Sequence, residues 1–306
     1  MTALILTGLL ITGVRLATPL LLAALGEVMA ERAGVINVGI EGMVLAGALA
    51  GFTVSYHTHS PWLGVLAAIA AGMALALLFA LFAVRLRADQ VISGTAINIL
   101  ALGLTGVLFR AQFSQSGASA VAFEPIAIPG LHKLPVIGAA FFEQNILGYL
   151  SWLLVPACAL FLSKTVAGLR LRATGEYPEA ASASGVRVPR VRTLAILWGG
   201  ALAGLAGAYL SIAYTNGFVE NMSAGRGFIA LAVVILGRWR PAGVLIAALL
   251  FGLASALQYQ FQASASHIPY QFFLALPYLL TLLALLLRGR GRFAAPAALG
   301  EGARQG

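Results

Sequence analysis

The sequence predicts an all-α protein: a polytopic transmembrane helical bundle of about 8–10 membrane segments, two of them short or broken, with an internal pseudo-repeat. Composition is the first reason. Of its 306 residues 60% are hydrophobic and only 9% charged, whereas soluble domains carry roughly 25% charged residues. The second is that apolar blocks recur at close to the roughly 20 residues that one helical crossing needs. The third is that basic residues are confined to a few intervals between those blocks. Helices are preferred to barrel strands because the blocks are evenly apolar rather than alternating, and a helix satisfies its own backbone in lipid.

The first span covers 3–25 and has no Lys or Arg before Arg15. It lacks the basic flank of a cleaved signal peptide and is a retained helix. Further spans are expected at 42–56, 62–84, 90–110, 148–166, 193–215, 227–239, 243–261 and 270–287. The segments 42–56 and 227–239 reach only about 20 Å, against a hydrocarbon core of about 30 Å. They are expected to be broken, re-entrant or tilted. Small residues four apart (Gly47 with Gly51, Gly200 with Gly204, Ala203 with Gly207) make stripes where helix backbones can pack closely.

Formal net charge is +9. In a soluble chain this would suggest nucleic acid, but in a membrane protein it marks the cytoplasmic loops, so no nucleic-acid partner is expected. If all nine spans cross, the loops 26–41, 85–89, 164–192 and 237–241 and the tail from 288 share one side. That side holds 15 of the 19 Lys and Arg; Arg110, Lys133 and Arg226 fall on the other, and Arg15 lies inside the first span. The positive-inside rule makes the rich side cytoplasmic and places the N-terminus outside. The chain then reads as one membrane domain over 1–290 with a flexible cytoplasmic tail at 291–306. The proline-punctuated stretch 111–147 forms an extracytoplasmic loop.

Catalytic chemistry is not indicated. Cys158 is the single cysteine, so neither an intrachain disulfide nor a cysteine metal cluster can form. The four histidines (His57, His59, His132, His267) fall in outside loops, and the His57–His59 pair lacks a third ligand nearby. Neither GxxxxGK[ST] nor GxSxG occurs. No catalytic residue, metal or cofactor is expected, and the chain is read as a transport protein rather than an enzyme.

The longest hydrophilic break, 164–192, has an internal order. Pro178 and Glu179 suit the first turn of a helix, Ala180, Ala181 and Ala183 sustain it, and Gly185 can end it in a left-handed cap. With Glu176 just before it, this stretch resembles the EAA loop of ABC importer permeases, the cytoplasmic coupling helix that docks into a separate ATPase subunit. Two further stretches, ERAGVINVGIEG from Glu31 and GRGFIALAVVILGRW from Gly225, resemble blocks of the branched-chain amino acid, ribose and nucleoside permease superfamily. The resemblance runs over about 15–290 and is nearest to the nucleoside and simple-sugar permeases. It implies a multi-pass subunit of the bacterial inner membrane that imports a small polar solute, in particular a nucleoside, with sugars or branched-chain amino acids as alternatives. It implies three protein partners: an ABC ATPase, a second permease subunit, homologous or identical, and an extracytoplasmic solute-binding protein. An ion-coupled secondary transporter is the alternative from another class, disfavoured by the scarcity of intramembrane carboxylates.

In ERAGVINVGIEG, glycines surround Asn37 and Glu41, so the backbone can unwind there while a polar group faces the bundle. Glu31 follows Glu27 by four residues, and the adjacent Arg32 can neutralise part of this charge. Glu41 must sit at the boundary, pair with an arginine or face a wet cavity, in a structural role or a pathway role. The candidate pathway residues are Asn37, Glu41, Asn98 and Asn216, the last two equally readable as helix-packing amides.

Overall fold

The computed structural model describes residues 2–113, 118–264, 279 and 295–300. The expected span at 270–287 lies outside the described residues. Eleven helices are seen among them: α1 (Thr2–Arg32), α2 (Ile40–Thr58), α3 (Pro61–Ala80), α4 (Gln90–Phe113), α5 (Gly138–Phe142), α6 (Ile146–Lys164), α7 (Val166–Glu176), α8 (Pro178–Ala183), α9 (Val188–Tyr209), α10 (Arg226–Leu236) and α11 (Pro241–Ser264). Wider π-helical turns extend α3 through Leu81–Arg85 and α9 through Leu210–Tyr214. Six of these helices are long and apolar enough to cross a membrane. The bundle is polytopic and helical, as the composition requires.

Local chemistry sets the helix boundaries. Prolines occupy the first turns of α3, α8 and α9, where the missing N–H costs nothing. Asn145 caps α6 by accepting from the Gly148 N–H at 2.8 Å, and the Thr165 hydroxyl caps α7 through Gly168 at 2.9 Å. The two segments expected to be short differ from each other. Helix α2 runs for 19 residues, about 28 Å at 1.5 Å per residue, because residues beyond the apolar block continue it to Thr58. Helix α10 stays short, with 11 residues and a length of about 16 Å.

The core is the contact of α9 with α1, α2 and α3, and it is built on the glycine stripes. A Cβ on Gly47 would fall 2.6 Å from the Gly204 Cα, and one on Gly204 would strike the Ala68 carbonyl. On the same face Gly207 lies against the Val44 carbonyl and Gly72 against that of Gly200. Any larger side chain at these points would push the helices apart.

The loops sort to two ends. At the basic end, the turn after α1 receives Gln90 (Ile36 N–H to Oε1, 2.8 Å), Arg192 (Nε to the Ala33 carbonyl, 3.2 Å) and Arg32 with Trp239 (Nε to carbonyl, 3.0 Å). At the other end, 118–145 folds into short irregular pieces, with Ile126–Ala127 paired antiparallel to Glu143–Gln144. These pieces are tied to the end of α9 by Phe123 N–H to the Ile212 carbonyl at 3.0 Å and Ala120 N–H to the Asn216 carbonyl at 3.2 Å. The segment 295–300 departs from the expected free tail. Ala298 is buried and its N–H donates to the Gly175 carbonyl at 2.9 Å, so this stretch packs against the α7 end and the Gly34 turn.

Candidate functional site: a capped half-helix and an exposed short helix

Glu41 stands in the first turn of α2, almost buried, and faces the start of α10. Its Oε1 accepts from the Gly225 N–H at 2.7 Å and its Oε2 from the Gly227 N–H at 2.6 Å. The carboxylate therefore needs no arginine, because the free N–H groups and the positive end of the α10 dipole hold it. Glycine is required on both sides of Arg226. Gly225 has φ of +82°, and a Cβ on Gly227 would lie 2.5 Å from the Glu41 Cα.

Asn98 of α4 completes the unwound entry to α2. It accepts from the Gly42 N–H at 2.8 Å and donates from Nδ2 to the Val38 carbonyl at 2.9 Å. Asn37 is fully buried; its N–H donates to Glu27 Oε1 at 2.8 Å and its Nδ2 to the Met43 sulfur at 3.4 Å. Glu27 Oε2 and Asn37 Oδ1 have no hydrogen-bond partner among the described residues. At the far end of α10, the Trp239 Nε1–H donates to Glu31 Oε2, and Arg32 takes the Trp239 carbonyl. The α1–α2 corner thus grips α10 at both ends.

Three of the four candidate pathway residues, Asn37, Glu41 and Asn98, converge on this corner. Asn216 does not join them: it lies in the opposite-end loop with φ of +56°, and its carbonyl receives Ala120 and Ser119. Arg32 is not the partner of Glu31; it sits 3.9 Å from Glu176 instead. Arg226 opens α10 rather than sitting in a surface loop, and its guanidinium folds back on the Met222 carbonyl at 2.8 Å. Sequence reasoning missed the roles of Gln90, Arg192 and Trp239. Only Trp239 had a usable signal, as the last residue of the GRGFIALAVVILGRW block.

The hydrophilic stretch around 178–185 forms the helix that its residues suggest. Pro178 starts α8, and Gly185, at φ of +82°, ends it. Gly185 N–H donates to the Ser182 carbonyl at 2.9 Å and Val186 N–H to the Ala181 carbonyl at 3.0 Å, the paired bonds of a Schellman cap. Ala181 is buried against the bundle, while Tyr177, Glu179, Ala180 and Ala183 are exposed on the outer face. Glu176 is half-exposed and lies beside Arg32, at 3.9 Å, and the Ala297 N–H, at 3.4 Å. It is the last residue of α7, just before α8. No cluster of three metal-ligating side chains occurs among the described residues.

The described residues thus form a multi-pass helical bundle, with a gripped short helix inside and a capped, exposed helix at its basic end. A model of the family described as the branched-chain amino acid transport system permease component matches residues 9–285, and the chain belongs to that family. It is 46% identical over 84% of its length to a Haloferax volcanii protein named as the glucose ABC transporter permease TsgC13, covering 78% of that protein. It is 37% identical to the Bacillus subtilis guanosine ABC transporter permease NupQ, with 88% of each chain covered. It is 36% identical to the Lactococcus lactis nucleoside ABC transporter permease NupC, with 89% of each covered. A solved metal-chelate type ABC transporter in an inward-facing conformation shares the fold at a TM-score of 0.53 and 18% identity, covering 91% of this chain and 85% of that one. The chain is the membrane-spanning permease subunit of an ABC importer.

Proposed function

We propose that the chain carries a nucleoside across the cytoplasmic membrane of a bacterium, driven by ATP hydrolysed in a separate ATPase subunit. The observation that carries the coupling half of this reading is α8, a short helix opened by Pro178 and closed by its own C-terminal cap, with its outer face exposed at the basic end. Such a helix transmits a push because its base is tied to α1 through Glu176 and Arg32. The solute is inferred from relatives named for guanosine and nucleosides, each matched over most of its length. A second permease subunit completes the pathway, and an extracytoplasmic solute-binding protein delivers the solute. The gripped half-helix α10 is the element that rearranges as access alternates, with Asn37, Glu41 and Asn98 holding its entrance.

Import of a simple sugar is the second reading, favoured by the 46% identity to a relative named for glucose. Uptake of radiolabelled guanosine by cells expressing the whole transporter separates the two. Competition by unlabelled nucleosides but not by glucose or leucine is expected. Uptake of labelled glucose in place of guanosine would establish the sugar reading, and transport of leucine alone would refute both.

A further inference from the structure

A groove of about 600 Å³ opens between α1, α6, α7 and α9 at the basic end. Its lining is apolar (Cys158, Phe161, Leu171, Leu194, Trp198) except for one cation, Arg170. Exposed leucines at 153, 160 and 169 stand on α6 and α7, whose other faces line it, and exposed Lys164, Arg187 and Arg190 lie on the same helices and loop. Among the described residues no carboxylate lines it, and none of these four cationic side chains has a partner.

We propose that this groove is a binding site for an anionic phospholipid, with an acyl chain along Cys158, Phe161 and Trp198 and the headgroup phosphate on the Arg170 guanidinium. A guanidinium presents paired donors that match a phosphate, and basic pockets between membrane helices on the cytoplasmic side take anionic headgroups. The volume lies within the range of pockets that bury a small ligand, about 300–1,000 Å³. A protein segment in the groove would have to bring a counter-charge to Arg170. Residues 265–294 contain no Asp or Glu and bring three further arginines. In a second copy the exposed carboxylates at this end, Asp89 and Glu179, lie in hydrophilic turns and not in an apolar segment that could fill the groove, while Glu27, Glu31 and Glu41 are buried. An anionic lipid is the occupant that supplies both the apolar chain and the negative charge.

Trp198 is itself the reporter, being part of the lining and 45% exposed. The assembled transporter is placed in phosphatidylcholine vesicles containing increasing fractions of brominated phosphatidylglycerol or brominated phosphatidylcholine. The Trp198 signal is the difference between the native chain and W198F. Brominated phosphatidylglycerol is expected to quench it at about fivefold lower fraction, the weight of one arginine near a charged headgroup. R170Q should abolish that preference without changing quenching by phosphatidylcholine, and R170K should keep it. Equal quenching by the two lipids would reduce the groove to ordinary bilayer contact, and absence of quenching by either would mean that protein covers it. Both results overturn the proposal, as does a preference that survives R170Q.

Discussion

Glu41 shows how a residue that is costly in a membrane becomes structural. A charge at the bilayer centre costs about 2.5–3.5 kcal/mol on insertion scales, yet here two backbone N–H groups at a helix start face it at 2.7 and 2.6 Å. Removing the side chain leaves both donors unpaired, each at about 1–3 kcal/mol. E41A is therefore expected to lower stability by about 2–6 kcal/mol in detergent and to abolish uptake, with E41Q milder because its amide still offers one acceptor. A thermal melt of E41A within a degree of the native protein would contradict the capping role. Trp239 makes the matching contact at the other end of α10, and W239F should cost about 1–3 kcal/mol by stranding the Glu31 carboxylate. The sequence disclosed the need for a partner at Glu41 but not its identity, because backbone N–H groups at a helix start 184 residues away carry no side-chain signature.

Among the elements, α9 is the one around which the others pack, and its glycines set the spacing. G204A places a methyl group against the Ala68 carbonyl, an overpacking worth about 1–3 kcal/mol. By contrast a methyl group on Gly103 of α4 would meet nothing within 4 Å, so G103A is expected to be neutral or stabilising by about 0.5–1 kcal/mol. Melting the two variants side by side checks the assignment; equal losses would remove it. Helix α8 behaves differently, because Gly185 has open space around it but a left-handed backbone. G185V should cost about 1–2 kcal/mol locally, fray the last turn of α8, and reduce uptake per ATP hydrolysed while leaving membrane insertion intact. Unchanged coupling in G185V would dissociate α8 from the ATPase. This helix was fully legible, since proline, alanines and glycine act locally. The length of α2 was not, because the expected span 42–56 stops short of Ile40 and Glu41 at one end and of the polar His57 and Thr58 at the other, which the helix takes in.

On the scale of the whole molecule, the one-sided distribution of basic residues is matched by the contacts: the turns near Gly34, Gln90, Gly175 and Trp239 meet at one end. A cysteine probe tests which side that is. Thr174 is buried and unsuitable, whereas Ala183 on α8 is exposed. In a C158A background, A183C is expected to resist an impermeant maleimide in intact cells and to react after permeabilisation; labelling in intact cells would invert the topology. The bundle was readable from composition and span length, and the unwound backbone around Asn37 and Glu41 from the glycine-rich block; that Asn98 reaches this block from α4 was not. The exclusion of Asn216 and the docking of 295–300 were not, since both depend on loop backbone bonds that any sequence can make. The central claim is that α8 lets a separate ATPase drive import through this subunit. The most direct measurement is guanosine uptake by proteoliposomes holding the purified transporter with its binding protein. The account predicts uptake that requires ATP on the side of α8 and persists when ion gradients are collapsed. Uptake without ATP, or uptake that follows an imposed proton or sodium gradient, would contradict it.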